Sequence, residues 1–193
     1  MQHEVNQIIT FWTDTATLAV FDPECLAERV NAKCDWWCGS FTEIEEVAEG
    51  KASFISTAAD GVFRVRITSG ELSLHERDYA KERLGPLGLE VKSGRVFVGK
   101  GERITGGGFA PDAAHVREGE GSFVEMPTGQ YDLLVFSIEW FDSPLWWNMN
   151  GTRPHDAPAD LVVVLTPRTS AFKRLTAEPR LGDRLQRACV AAR

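Results

Sequence analysis

Alternating apolar segments joined by short turns limit how residues 52–140 can fold. Three pairs of segments flank turn sequences: 52–57 with 62–68 around Asp60-Gly61, 87–92 with 95–99 around Ser93-Gly94, and 122–126 with 131–140 around residues 127–130. Alternation with a period of two, interrupted by turn residues, is typical of antiparallel hairpins. The sequence therefore predicts a mainly β (α+β) fold, an antiparallel β-sandwich with three hairpins and short peripheral helices.

The helices and the remaining strands are predicted from shorter signals. Asp22-Pro23-Glu24 combines an N-cap residue, a proline for the first helical position and an acid for the helix dipole. Thr42-Glu43-Ile44-Glu45 resembles a capping box that opens a helix to about Glu49. A third helical patch is expected over 78–84, ending at Gly85-Pro86, and strands are expected over 15–21 and 161–166.

The chain length and its charge pattern divide the sequence into two parts. Residues 1–166 are predicted to form a single β-rich domain, with a glycine-rich surface loop over 100–121. Residues 167–193 contain seven Lys or Arg against two Asp or Glu, which indicates a basic C-terminal helix or tail.

The remainder of the chain is strongly acidic. The whole chain carries a net charge of −7, and residues 1–60 hold eleven acids against three bases, a net of −8. Such a surface repels phosphates and disfavours direct binding of nucleic acid. It attracts basic partners, such as a nuclease domain that must itself bind phosphates. Acidity that serves solubility alone is the simpler interpretation, and it stays open.

No motif predicts a catalytic residue, a metal site or a cofactor. Cys34 and Cys38 are separated by three residues, which is not a zinc or thioredoxin spacing, and the four histidines are scattered. Glu139 and Asp142 leave room for a metal-independent hydrolase, but nothing fixes their separation. The absence of a signal peptide and of a long apolar run predicts a cytoplasmic protein without a membrane partner, whose four cysteines are reduced thiols.

Two tryptophan pairs, Trp36-Trp37 and Trp146-Trp147, are the most unusual local feature. Each pair lies close to an acid, Asp35 or Asp142. Adjacent residues of an extended segment face opposite ways, so one ring of each pair can pack inside while the other anchors a partner. Packing of both rings in the core is the alternative. A carbohydrate- or small-molecule-binding sandwich that uses Trp146 and Trp147 as a stacking platform is the rival function.

Three strings of the chain carry a resemblance to a known type of protein: Phe11 to Pro23, Cys34-Asp35-Trp36-Trp37, and Asp60 to Ile67. Together they resemble an uncharacterised bacterial domain family that is similar to proteins found beside secreted toxins, including type VI secretion effectors. The resemblance implies an immunity protein that binds a cognate toxin in the cytoplasm and blocks its active site. It implies no catalytic residue.

Charge and resemblance lead to one prediction of a binding surface. An acidic face is expected to meet the basic cleft of a toxin, such as a nuclease, while Trp36 or Trp37 supplies the apolar anchor. The residues predicted to contact this partner are Asp35, Trp36, Trp37, Glu43, Glu45, Glu46 and Glu49.

Overall fold

The computed structural model describes residues 4–29, 41–104, 116–140 and 158–169, apart from the side chains of residues 41–44. Within these ranges the chain forms nine strands: β1 (Asn6–Thr13), β2 (Thr17–Phe21), β3 (Ala52–Ser56), β4 (Gly61–Thr68), β5 (Ala80–Val91), β6 (Arg95–Lys100), β7 (Gly121–Glu125), β8 (Gly129–Ile138) and β9 (Leu161–Pro167). The helices are short: α1 (Phe41–Ala48), α2 (Leu74–Tyr79), and two 3₁₀ helices, Pro23–Arg29 and Gly101–Arg103.

The strands form two sheets that pack face to face. The five-stranded sheet has the order β1-β4-β9-β8-β5, and the four-stranded sheet has the order β3-β2-β6-β7. Neighbouring strands are antiparallel except for β4 and β9, which run parallel. The predicted mainly β sandwich with short helices is confirmed.

The core lies between the sheets and is filled by alternate side chains of both. Phe63, Val65 and Ile67 of β4 point inward and pack in one cluster with Leu18 and Val20 of β2. All five are essentially inaccessible to solvent. Burying apolar surface in this way is the main favourable contribution to folding.

The strands of the three predicted hairpins are present, but the two strands of each hairpin do not pair with each other. β3 and β4 lie in different sheets, and so do β5 and β6, and β7 and β8. Each tight turn carries the chain from one sheet to the other. A strand that faces the core from either sheet shows the same alternation, so the pattern indicates a chain reversal but does not identify the hydrogen-bonded neighbour.

The helix predicted over 78–84 is also wrong. A capping box between Ser73 and Glu76 starts α2 earlier, and the chain is already extended at Ala80. Pro86 then lies inside β5, at a register shift between Leu84 and Leu87. Proline is tolerated there because β5 is an edge strand and the irregularity removes the need for a ladder hydrogen bond.

The other local predictions fare better. Asp22 accepts a hydrogen bond from the Glu24 N–H (2.9 Å) at the start of the first 3₁₀ helix, as a cap residue should. The strand predicted over 161–166 is β9. Residues 105–115 of the predicted loop and 170–193 of the predicted basic segment lie outside the described residues, so the proposed division at residue 166 stays a prediction.

Helices cover the outer face of the four-stranded sheet. Leu26 of the first 3₁₀ helix and Val47 of α1 pack against Phe21 and Phe97 of that sheet. Cys25 beside them is a buried free thiol, and burial raises its pKa to about 12. Among the described residues, no helix has the length and apolar character needed to cross a membrane.

Candidate partner-binding surface

The two helical segments over the four-stranded sheet carry a patch of exposed carboxylates. Glu24 and Glu28 lie on the first 3₁₀ helix, Glu45 lies in the second half of α1, and Glu49 directly follows α1. The apolar residues Leu26 and Val47 hold both segments on the sheet, so the acidic side chains are left on the solvent side. We call these four residues the acidic surface.

Two cations beside the acidic surface, Arg29 and Lys51, are bound by Glu46 and Glu49. Arg29 contacts the buried Glu46 (Nη2 to Oε1, 2.6 Å), and Lys51 contacts Glu46 (3.1 Å) and Glu49 (2.8 Å). The hydrogen bond that Lys51 donates to Glu49 is the largest cause of the raised pKa of Lys51. In the described part of the chain, the acidic surface and Glu46 together bring five carboxylates to Arg29 and Lys51, while the nearby Lys92 is paired with Glu90. The local excess of negative charge extends into solvent.

The structure separates the acids that were predicted to contact a partner. Glu45 and Glu49 are exposed, whereas Glu46 is 4% exposed and ties α1 to the first 3₁₀ helix through Arg29. Glu43 belongs to α1, but its side chain is outside the described part of the chain, as are Asp35, Trp36 and Trp37. Whether these residues bind a partner stays a prediction.

Sequence reasoning did not include Glu24 and Glu28 in the surface. The sequence shows that Glu24 and Glu28 contribute to the acidity of residues 1–60, and it predicts the short helix that carries them. The packing of that helix beside α1 through Leu26 is a tertiary feature, and no local pattern predicts it.

A second polar cluster lies where β1 and β6 end. Glu102 accepts hydrogen bonds from the Asp14 N–H (2.9 Å) and the Thr13 hydroxyl (3.2 Å). Burial raises the pKa of Glu102, and its contact with Asp14 raises it further; the same contact lowers the pKa of Asp14. Of the two carboxyls, Glu102 therefore holds a proton in preference to Asp14.

The cations of this cluster are paired as well. Lys100 Nζ lies 3.5 Å from Glu120 Oε1 and 4.5 Å from the centroid of the Trp12 ring. Arg103 Nε lies 3.4 Å from the other Glu120 oxygen. These contacts close the corner of the sandwich, where Trp12 N–H also donates to the Gly119 carbonyl (2.8 Å).

Neither cluster has the geometry of a metal centre. Within the described ranges, no group of three or more His, Cys, Asp or Glu side chains is placed to hold a metal ion. Of the pair considered for hydrolysis, Glu139 is buried and Asp142 lies outside the described residues, as do Trp146 and Trp147.

Replacing Glu102 by Gln is expected to remove a pH-dependent loss of stability. A raised folded-state pKa means that the folded chain holds this proton more tightly than the unfolded one, so stability falls as pH rises from about 4.5 through the raised value. Urea unfolding of both proteins between about pH 4 and pH 7 should show the wild type losing stability relative to the Gln variant. Parallel stability profiles would contradict the raised pKa of Glu102.

Comparison with known proteins provides a family match and two structural matches. The model of a "Family of unknown function (DUF6386)" matches residues 5–138. No curated protein gives a significant match. The solved structure named "Crocagin biosynthetic gene J" is 14% identical, with a TM-score of 0.51, over 88% of this chain and 99% of its own. This likeness supports the fold alone.

The second solved structure has lower similarity. It is that of ComJ from Bacillus subtilis, which its title describes as an inhibitor of the DNA-degrading activity of NucA. It is 10% identical to this chain, with a TM-score of 0.37, over 87% of this chain and 99% of its own. At that score the match carries no argument about the present protein.

Proposed function

Because this chain belongs to DUF6386, a family of unknown function, we propose its function from its own residues: it binds and inhibits a cognate bacterial toxin. The proposed partner is a basic toxin domain, such as a nuclease that is delivered by type VI secretion. Inhibition is stoichiometric and takes place in the cytoplasm, where the chain covers the active site of the toxin. The acidic surface carries this proposal.

The acidic surface suits a partner that binds phosphates. An enzyme that acts on nucleic acid presents Lys and Arg in its cleft, and exposed carboxylates can occupy the same positions as the phosphates of its substrate. Glu24, Glu28 and Glu45 lie exposed on two adjoining segments, and the neighbouring cations are bound by Glu46 and Glu49. Long-range attraction should therefore speed association.

Binding without catalysis is part of the proposal. Three carboxylates that are largely buried form internal ion pairs: Glu46 contacts Arg29, Glu76 contacts Arg66, and Glu120 contacts Lys100. Groups held in this way stabilise packing, and the exposed acids remain for recognition. Trp36 or Trp37 is proposed as the apolar anchor that makes the complex long-lived, and Asp35 and Glu43 as further contacts.

Charge reversal on the acidic surface is expected to slow association. The toxin to be used is the purified product of the open reading frame next to the gene for this chain. Stopped-flow measurements on the Glu28→Lys/Glu45→Lys variant should give an association rate constant about tenfold to 100-fold lower at low salt. The difference should shrink as ionic strength rises, because salt screens exposed charges.

A matched variant tests whether position matters or only net charge. Glu71→Lys/Asp78→Lys makes the same change of charge on exposed residues at α2, beside the five-stranded sheet. It should slow association far less. Equal slowing by both variants, or a rate that salt does not change, would reject steering by the acidic surface. Absence of a complex with this toxin, and of protection against it, would reject the proposed function.

A further inference from the structure

The apolar layer beneath the acidic surface continues across the four-stranded sheet to β7. Phe97 of β6 is fully buried in the cluster that it forms with Leu26 and Val47. Phe123 of β7 lies opposite Phe97 and packs against the same cluster, but it is only half-buried. The two rings meet edge to face, with 5.7 Å between their centroids. At β7, therefore, part of this apolar layer reaches solvent.

A cleft of about 330 Å³ lies at this end of the apolar layer. Its apolar walls are Val116 and Phe123, both half-buried and both packed against the cluster that contains Phe97. The volume is at the lower end of the usual range for binding pockets and suffices for one apolar side chain. The residues that line the cleft are Val116, Arg117, Glu118, Gly121, Ser122 and Phe123.

The wall that contains Arg117 is held in place by the chain itself. The Arg117 N–H donates to Glu120 Oε2 (3.0 Å), and the Glu120 N–H donates to the Arg117 carbonyl (3.1 Å). Glu120 also pairs with Lys100 (3.5 Å), and the neighbouring Gly119 carbonyl accepts from the Trp12 N–H (2.8 Å). A wall that is already formed loses little conformational entropy when a partner binds.

The charges beside the apolar walls are balanced, unlike those of the acidic surface. Arg117 and Glu118 line the cleft, and both are exposed. Arg95 lies over the Phe123 ring, 4.4 Å from its centroid, and is opposite the exposed Glu125 in the pairing of β6 with β7. Because each of these two arginines has an acid beside it, the cleft is suited to an uncharged apolar group rather than to an ion.

We propose that the cleft receives an apolar side chain of the basic partner, an inference that rests on the function proposed above. The cleft and the acidic surface adjoin the same face of the four-stranded sheet, where one apolar cluster connects Val116 and Phe123 with Leu26 and Val47. The strands β2 and β7 are two strand spacings apart, roughly 10 Å. A stable interface buries about 800 Å² on each partner, which is enough to cover both features.

The two parts of this interface contribute differently to binding. Exposed charges speed the encounter of two proteins, whereas a desolvated apolar anchor mainly slows their dissociation. The acidic surface therefore sets the association rate constant, and the cleft sets the dissociation rate constant. The cleft is thus an apolar anchor site in addition to the one proposed at Trp36 or Trp37.

Binding kinetics of the full chain test the cleft separately from the acidic surface. The partner is the purified product of the open reading frame next to the gene for this chain. Val116→Asn makes one wall polar without changing the net charge, and it should raise the dissociation rate constant by at least about tenfold. The association rate constant should change by less than about twofold, because the charges are untouched. Val62→Asn is the matched control: Val62 is 56% exposed on the five-stranded sheet, and its replacement should leave both constants unchanged.

A milder variant and hydrogen exchange complete the test. Val116→Ala removes two methyl groups from a half-buried position, keeps the fold, and should raise the dissociation rate constant about threefold to tenfold. Amides of residues 117–123 should exchange more slowly when the toxin is bound than in the free chain. A complex whose lifetime neither Val116 variant shortens, or which leaves these amides unprotected, would overturn the cleft while the proposed function stands. Absence of any complex would instead reject the proposed function, and the cleft with it.

Discussion

Gly99→Ala is expected to destabilise the protein by about 3 kcal/mol or more, at the upper end of the usual effects of overpacking. Gly99 of β6 lies opposite Gly121 of β7. A Cβ atom on Gly99 would lie 2.3 Å from the Glu120 carbonyl oxygen and 2.8 Å from the Phe97 ring. Because Glu120 also bridges to Phe11 of β1, the backbone cannot move without opening the corner of the sandwich. Urea unfolding followed by tryptophan fluorescence measures the loss.

A second glycine provides the control for this prediction. A Cβ atom on Gly70 would meet only Thr68 Oγ1, at 3.4 Å, which is an ordinary contact. Gly70→Ala should therefore change the free energy of unfolding by less than about 0.5 kcal/mol. Similar losses for both variants would mean that the close approach of β6 and β7 is not what requires glycine at position 99.

The strands of this protein were largely predictable, and the sheets were not. Phe63, Val65 and Ile67 alternate with two arginines, and this pattern correctly indicates a strand with one buried face. The partners of that strand, β1 and β9, are distant in sequence. Because a sandwich has two sheets facing one core, the apolar period is the same whether a turn joins neighbours or crosses between sheets.

The helix predicted over 78–84 was wrong because the segment around Gly85-Pro86 belongs to an edge strand. Glycine followed by proline commonly ends a helix, and the preceding residues have fair helical propensity. In the structure, the same residues belong to an edge strand with a register shift, where neither residue is disruptive. Whether a strand lies at an edge is a property of the whole sheet, and a local pattern does not contain it.

In the predicted binding surface, too, a local pattern does not show which single residues are buried. Glu45 and Glu46 are adjacent on α1, about 100° apart around the helix, so burial of one and exposure of the other is expected once the buried face is known. The inward direction is fixed by Val47 and by the contact between Glu46 and Arg29. The composition predicts the excess of acids. Only the contact with Arg29 identifies Glu46 as the acid that stabilises the fold.

Asp22→Ala is expected to cost about 3 kcal/mol and to loosen the acidic surface at its base. The Asp22 carboxylate is fully buried and accepts three backbone hydrogen bonds, from Glu24 (2.9 Å), Lys92 (2.7 Å) and Ser93 (2.6 Å). It thus joins the first 3₁₀ helix to the turn between β5 and β6. Alanine leaves these donors without their acceptor, and hydrogen bonds to a charged group contribute more than neutral ones.

Asp22→Asn separates the role of the carboxylate from that of shape. The amide keeps one acceptor oxygen, but its NH₂ group faces a backbone N–H, so we expect a loss of about 1–2 kcal/mol, below that of alanine. Urea unfolding measures both variants, and hydrogen exchange at the amides of Glu24, Lys92 and Ser93 reports the local effect. The Asp22 anchor is refuted if alanine leaves stability and these exchange rates unchanged. If it loosens only the turn, the 3₁₀ helix is held by Leu26 packing instead, and the acidic surface does not depend on Asp22.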